Sequence, residues 1–167
     1  MKNPLLYICL FFLVGCTSTL KYIEQYPYSF KNESMYFVSD NCKVLVTNAE
    51  QRSKEYQILL KSGKFKIVDD PHAPKLTLKE LGGPSSCGMP LLLSVFTFGI
   101  IPSSTLGLYS YSFNIERNGE LLEYYYGLRV IIRFSIWEWL RKPFVSETSV
   151  LGECLKDAIE KAHRGKT

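Results

Sequence analysis

Asn118-Gly119 sits between two long runs in which every second residue is apolar or aromatic. No other feature of the chain restricts its fold as much. Asn-Gly suits a two-residue type I′ turn, because both central residues need positive φ. A turn there fixes the strand pairing, since the numbers of facing residues then sum to 237. Ile115 faces Leu122, Phe113 faces Tyr124, Tyr111 faces Tyr126 and Tyr109 faces Leu128, so every pair on that side is apolar or aromatic. The other side sets Ser112 against Tyr125, Asn114 against Glu123 and Glu116 against Leu121. A slip of one residue would mix the two sets, so the pattern itself supports the register. The apolar stripe continues through Val130, Ile132, Phe134 and Ile136. A strand this long is expected to bend, with Gly127 as its bulge or kink.

Other elements follow from hydrophobic period. Glu33 to Ser39 alternates as a first strand, and Asp40-Asn41 breaks it. Leu45, Ala49, Arg52, Tyr56, Leu59 and Leu60 recur at spacings of three and four. They predict a helix over Thr47 to Ser62, capped by Gly63, with Lys43 to Val46 open to a strand reading. Lys64 to Val68 and Lys75 to Leu81 alternate as strands around the turn Asp69-Asp70-Pro71. A last helix starts near Ser146, with Leu151, Cys154, Leu155, Ala158, Ile159 and Ala162 on its apolar face. The order predicts an α+β fold: a two-layer sandwich with a mainly antiparallel sheet of about four to five strands and two helices on one face. In element order it resembles small α/β modules of periplasmic lipoproteins and the N-terminal domain of the Tol-Pal propeller protein.

The chain begins with Lys2, an apolar run from Pro4 to Val14, a small residue and a cysteine. That is the layout of a secretory signal. The run is well short of the roughly 20 residues of a spanning helix. Leu13-Val14-Gly15-Cys16 resembles the lipobox of bacterial lipoprotein signal peptides at all four positions. The resemblance implies cleavage before Cys16 and acylation of its thiol, by palmitate among other chains. The competing reading is an uncleaved signal anchor. The residue after the cysteine is Thr17 and not Asp, which in Gram-negative lipoproteins implies the outer membrane, on its periplasmic face. In a Gram-positive host the same motif implies the outer face of the cell membrane. The expected organisation is a signal peptide at 1–15, a tether at 16–33, and one α+β domain at 34–167 with an apolar insertion at 82–104.

The formal charge is +4; residues 1–15 hold Lys2 and no acid, which leaves +3 after cleavage. Roughly 150 mature residues make one domain, and 11 Tyr with 10 Phe supply a real core. Charges are mixed along the chain with no basic block, which gives no support to nucleic-acid binding. Of five cysteines, Cys9 leaves with the signal and Cys16 takes lipid. Cys42, Cys87 and Cys154 remain in an oxidising compartment. Cys42 and Cys87, each beside turn-forming residues, are the expected pair, with three reduced thiols as the alternative.

Two segments depart from a plain sandwich. Gly82 to Ser104 opens with Gly82-Gly83-Pro84 and turns apolar from Met89 to Ile101 before Pro102. It reads either as a buried connector or as a hairpin that meets a membrane or partner. Phe98-Gly99-Ile100-Ile101-Pro102 resembles a pattern of small uncharacterised envelope lipoproteins. The second segment, Trp137 to Phe144, holds Trp137 and Trp139 with Arg141 and Lys142. That is an interfacial composition, although a Trp that plugs the sheet's end would also account for it. Under the 237 pairing residue 104 lies opposite residue 133, so both segments emerge at one end of the sheet. Leu92, Phe96, Phe98, Ile100, Trp137 and Trp139, edged by Arg141 and Lys142, are the candidate contact residues.

Catalysis finds little support. His72 follows a turn, His163 lies near the end of the last helix, and no nucleophile sits in a G-x-S-x-G context. No metal spacing or phosphate loop occurs, and no cofactor is expected. The expected function is a membrane-anchored envelope lipoprotein with a structural, assembly or partner-binding role. Its expected partners are the bilayer, through acylated Cys16, and an envelope protein. The alternative is an envelope hydrolase whose site is assembled from residues distant in sequence.

Overall fold

The computed structural model describes residues 17–22, 42–86, 96–97, 99–117 and 119–164. The expected signal segment with Cys9 and Cys16, the expected strand Glu33 to Ser39, and Cys87 lie outside the described residues. The elements are β1 (Thr17–Tyr22), β2 (Cys42–Val46), α1 (Ser53–Ser62), β3 (Phe65–Ile67), β4 (Lys75–Leu78), β5 (Gly82–Ser86), β6 (Ser103–Arg117) and β7 (Glu120–Ser135). After them come α2 (Glu138–Arg141), a 3-10 turn (Lys142–Phe144) and α3 (Glu147–Arg164). The fold is α+β.

The β6–β7 hairpin has the predicted register along its whole length, from Arg117 opposite Glu120 to Ser103 opposite Phe134. Gly119 takes φ +81°, the left-handed conformation the turn requires. No bulge occurs at Gly127, which pairs with Ser110 in unbroken register. This corrects the bulge expected there. The ladder's interruption falls instead on β5, between Gly82 and Ser85.

Alternation places Tyr109, Tyr111, Phe113 and Ile115 of β6 on one buried face with Tyr124, Tyr126, Leu128 and Val130 of β7. The Phe113 ring stacks on Tyr124 at 5.1 Å between centroids and on Tyr126 at 5.9 Å, and meets Phe65 edge-on at 5.5 Å. Both long helices feed the same core, α1 through Ile58 and Leu59, α3 through Leu151, Cys154, Leu155 and Ile159. The Tyr111 hydroxyl donates to the Glu55 carbonyl of α1 at 2.8 Å, which ties the hairpin to that helix. The helices cross closely at Gly152, where an added Cβ would stand 2.7 Å from the Cβ of Lys61 and 3.2 Å from the Ile58 carbonyl oxygen.

Among the described residues the sheet has seven strands, in the order β1-β7-β6-β4-β2-β3, with β5 also paired to β6. This exceeds the four to five expected. The sheet is also mixed, because β2 runs parallel to both β3 and β4. Parallel neighbours need a crossover, and α1 supplies the one between β2 and β3. The β6–β7 hairpin and both long helices were visible in the sequence, whereas β1, β5 and the choice of neighbours were not.

Three boundaries also differ from expectation. The helix predicted from Thr47 starts at Ser53, because the residues before it serve the sheet. The Thr47 amide donates to the Leu76 carbonyl at 3.0 Å. The Asn48 side chain bonds the Leu78 carbonyl at 2.8 Å and accepts from the Leu78 amide at 2.9 Å, so it takes the place of a further strand residue. At the other end Gly63 caps the helix as predicted, with φ +65° and its amide on the Leu60 carbonyl. The insertion expected from residue 82 opens with an ordinary strand, β5, antiparallel to β6, and its last residues Ser103 and Ser104 belong to β6. Residues 17–22, read as part of a tether, form β1. They pair antiparallel with β7 from Thr17 opposite Ser135 to Tyr22 opposite Val130.

Candidate functional site

Three strand ends converge at one end of the sheet. β6 starts at Ser103 opposite Phe134, β7 stops at Ser135, and β1 starts at Thr17 opposite Ser135. The chain before β6 is a tight turn, in which the Ile100 amide donates to the Thr97 carbonyl at 3.0 Å and Gly99 takes φ +77°. The chain after β7 is bonded directly to it. The Ile136 amide donates to the Gly99 carbonyl at 3.0 Å. The Trp137 indole N–H donates to the Ile100 carbonyl at 3.1 Å, and the Trp137 amide to Ser135 Oγ at 2.9 Å. The two unusual segments of the sequence therefore meet, as the turn at Asn118-Gly119 required. α2 and the 3-10 turn that follow both contact β1.

Of the candidate contact residues, Phe96, Ile100 and Trp137 are exposed, Phe96 at 77 % of its full surface. Arg141 and Lys142 are exposed beside them in sequence. Leu92, Phe98 and the side chain of Trp139 lie outside the described residues. The structure adds four apolar side chains that were not among the candidate contact residues: Ile101, Ile136, Leu140 and Phe144, the last 86 % exposed. Leu140 stands three residues beyond Trp137, with its amide on the Trp137 carbonyl. That spacing was the available signal. Glu138 is buried at this end and lies 3.6 Å from Arg141, in a pair whose guanidinium is mostly in solvent and whose contribution is small.

Cys87, the expected partner of Cys42, lies outside the described residues. Cys42 is a free, half-buried thiol, and burial raises its pKa against the opposing charge of Arg117. β2 lies toward the hairpin's turn end, since Leu45 pairs with Lys75 and Lys75 with Glu116. Ser86, the last described residue before Cys87, pairs with Gly107, ten residues along β6 from Arg117. Cys154 is buried, with its thiol 3.5 Å from the Arg129 carbonyl, as expected of a small hydrophobe.

Other chemistry-bearing residues are dispersed. His72 is exposed in its turn, its amide on Asp70 Oδ1 at 2.9 Å. The side chain of His163 lies outside the described residues. Glu123 pairs with Lys79 at 2.6 Å. Lys61 donates to Ser146 Oγ and Thr148 Oγ1 at 3.0 and 2.8 Å, which joins α1 to the start of α3. Among the described residues no group of three His, Cys, Asp or Glu side chains is arranged to hold a metal ion. No described helix is long and apolar enough to cross a membrane.

No family model matches the chain, and no curated protein matches it. Among solved structures it is similar to a minor lipoprotein from Acinetobacter baumannii, at 13% identity and a TM-score of 0.42, over 78% of this chain and 96% of that one.

Proposed function

We propose that this chain is a lipoprotein of the bacterial cell envelope, acylated at Cys16 and held at the periplasmic face of the outer membrane. Its role there is structural or in assembly, through contact with an envelope protein, and not catalytic. The observation that carries the reading is the complete lipobox Leu13-Val14-Gly15-Cys16 after a short apolar run. Thr17 in the position after the cysteine supports the outer membrane. Two or three acyl chains on one residue make a stable anchor, whereas one chain holds only marginally.

Metabolic labelling with a fatty-acid analogue, followed by separation of inner and outer membranes, tests this. Label is expected on the wild-type chain in the outer-membrane fraction and absent from Cys16→Ala. Label retained by Cys16→Ala, or absent from the wild type, overturns the proposal.

A further inference from the structure

We propose that the folded domain rests directly on the lipid headgroups through the end of the sheet that carries Phe96, Ile100, Trp137, Leu140 and Phe144. The hairpin tip at Gly119 then points away from the membrane. This rests on acylation at Cys16 and adds to it a seat, an orientation and the absence of a spacer.

The argument starts from β1. Thr17 is held opposite Ser135, and the ladder continues to Tyr22 opposite Val130. Cys16 is one Cα step, about 3.8 Å, from Thr17. A lipid on Cys16 therefore leaves the fold beside Ser135, the residue from which the Trp137 segment departs. No slack chain separates anchor from domain at this point. A lipoprotein whose first mature residue is followed at once by a sheet strand has to bring that strand's end to the headgroups.

The surface at that end suits them. Eleven large apolar side chains are exposed among the described residues, and seven fall between Phe96 and Ile101 or between Ile136 and Phe144. None of them belongs to the buried core cluster, and a concentration of exposed apolar side chains marks a contact surface. Arg141 and Lys142 are exposed within the same segment. Trp and basic side chains together favour the headgroup level, and the basic pair favours anionic lipid. Apolar side chains of this kind sit about 5–10 Å into the interface. The bilayer is preferred to a protein as occupant because the acyl chains would hold it within a few residues' reach of the patch. A protein bound there would have to enter between the domain and its own anchor. β6 runs from this end to the tip in 15 residues, about 50 Å of strand, so the tip stands clear of the surface.

Depth-dependent quenching of the acylated, full-length protein in vesicles tests the seat. The vesicles are phosphatidylethanolamine with phosphatidylglycerol, brominated on the acyl chains close to the headgroup. The Trp139→Phe variant leaves Trp137 as the single indole. A second variant carries Trp137→Phe, Trp139→Phe and Leu121→Trp, which moves the indole to an exposed site at the tip. Trp137 emission is expected to shift to the blue and be quenched, and the tip indole to stay unquenched. Phe144→Ser with Leu140→Ser in the Trp139→Phe background should lose most of the quenching while retaining acyl label. Unquenched Trp137 in a chain that carries the label overturns the seat, including where a co-purifying protein shields it. Equal quenching of both indoles overturns the end-on orientation. Absence of label on Cys16 overturns the anchor reading, and this proposal with it, by a separate measurement.

Discussion

The Trp137 indole donates to the Ile100 carbonyl at 3.1 Å, across 37 residues of chain. The bond joins the turn that precedes β6 to the segment that follows β7. Loss of the donor in Trp137→Phe keeps an aromatic ring but frees the carbonyl. The site is exposed, so water replaces the lost partner, and the cost is about 0.5–1.5 kcal/mol. Urea unfolding should show a lower midpoint with an unchanged m-value.

Exposed and buried rings should separate cleanly. Phe113 is fully buried between Tyr124, Tyr126 and Phe65, so Phe113→Ala is expected to cost about 3–5 kcal/mol. Phe144→Ser and Phe96→Ser remove rings that face solvent and should stay within about 0.5 kcal/mol of wild type. A large loss of stability in either serine variant, read by denaturant midpoint, would show that these rings are core and not a contact surface.

Gly152 lies where α3 crosses α1. Ala there improves helix propensity by about 1 kcal/mol. Its Cβ, however, meets Lys61 Cβ at 2.7 Å and the Lys61 carbonyl carbon at 3.1 Å, and overpacking of this kind costs about 1–3 kcal/mol. The backbone of α1 cannot yield as a flexible side chain would. Gly152→Ala should therefore be destabilised and Gly152→Val more so, as thermal unfolding would reveal. A raised melting temperature in Gly152→Ala would contradict the crossing.

Alkaline pH should unfold the protein through two tyrosines. Burial, reinforced by the Glu55 charge, pushes Tyr111 well above its ordinary value, and burial followed by the influence of Tyr124 does the same to Tyr126. The folded state then keeps protons that the unfolded chain releases. Their stabilisation is complete below the unfolded value near 10 and is lost as pH rises above it towards the raised folded values. Each group adds about 1.4 kcal/mol of lost stability per pH unit within that window. Tyr111→Phe removes its bond to the Glu55 carbonyl, so it should be less stable at neutral pH by about 1 kcal/mol. It should also show a shallower alkaline slope. An unchanged slope between about pH 10 and 12 would show that Tyr111 does not titrate with unfolding.

Sequence alone determined the hairpin. Asn118-Gly119 and strict alternation carry both turn and register, because a slip would turn Tyr111 and Phe113 to the wrong face. From the register it also followed that the apolar turn near Ile100 and the Trp137 segment leave the sheet at the same end. The apolar face of α3 was equally legible, since period is a local property. Tertiary structure decided what depends on neighbours. β2 chose parallel partners on both sides, which no pattern within Cys42–Val46 encodes. Thr47 and Asn48 fall in or beside the predicted helical run but give their hydrogen bonds to β4, because that strand continues past the end of β2 and offers them partners. Thr17 to Tyr22 shows no clear period and reads as spacer. It becomes a strand because β7 extends far enough to present an edge beside it, and main-chain hydrogen bonding along an edge requires no side-chain pattern.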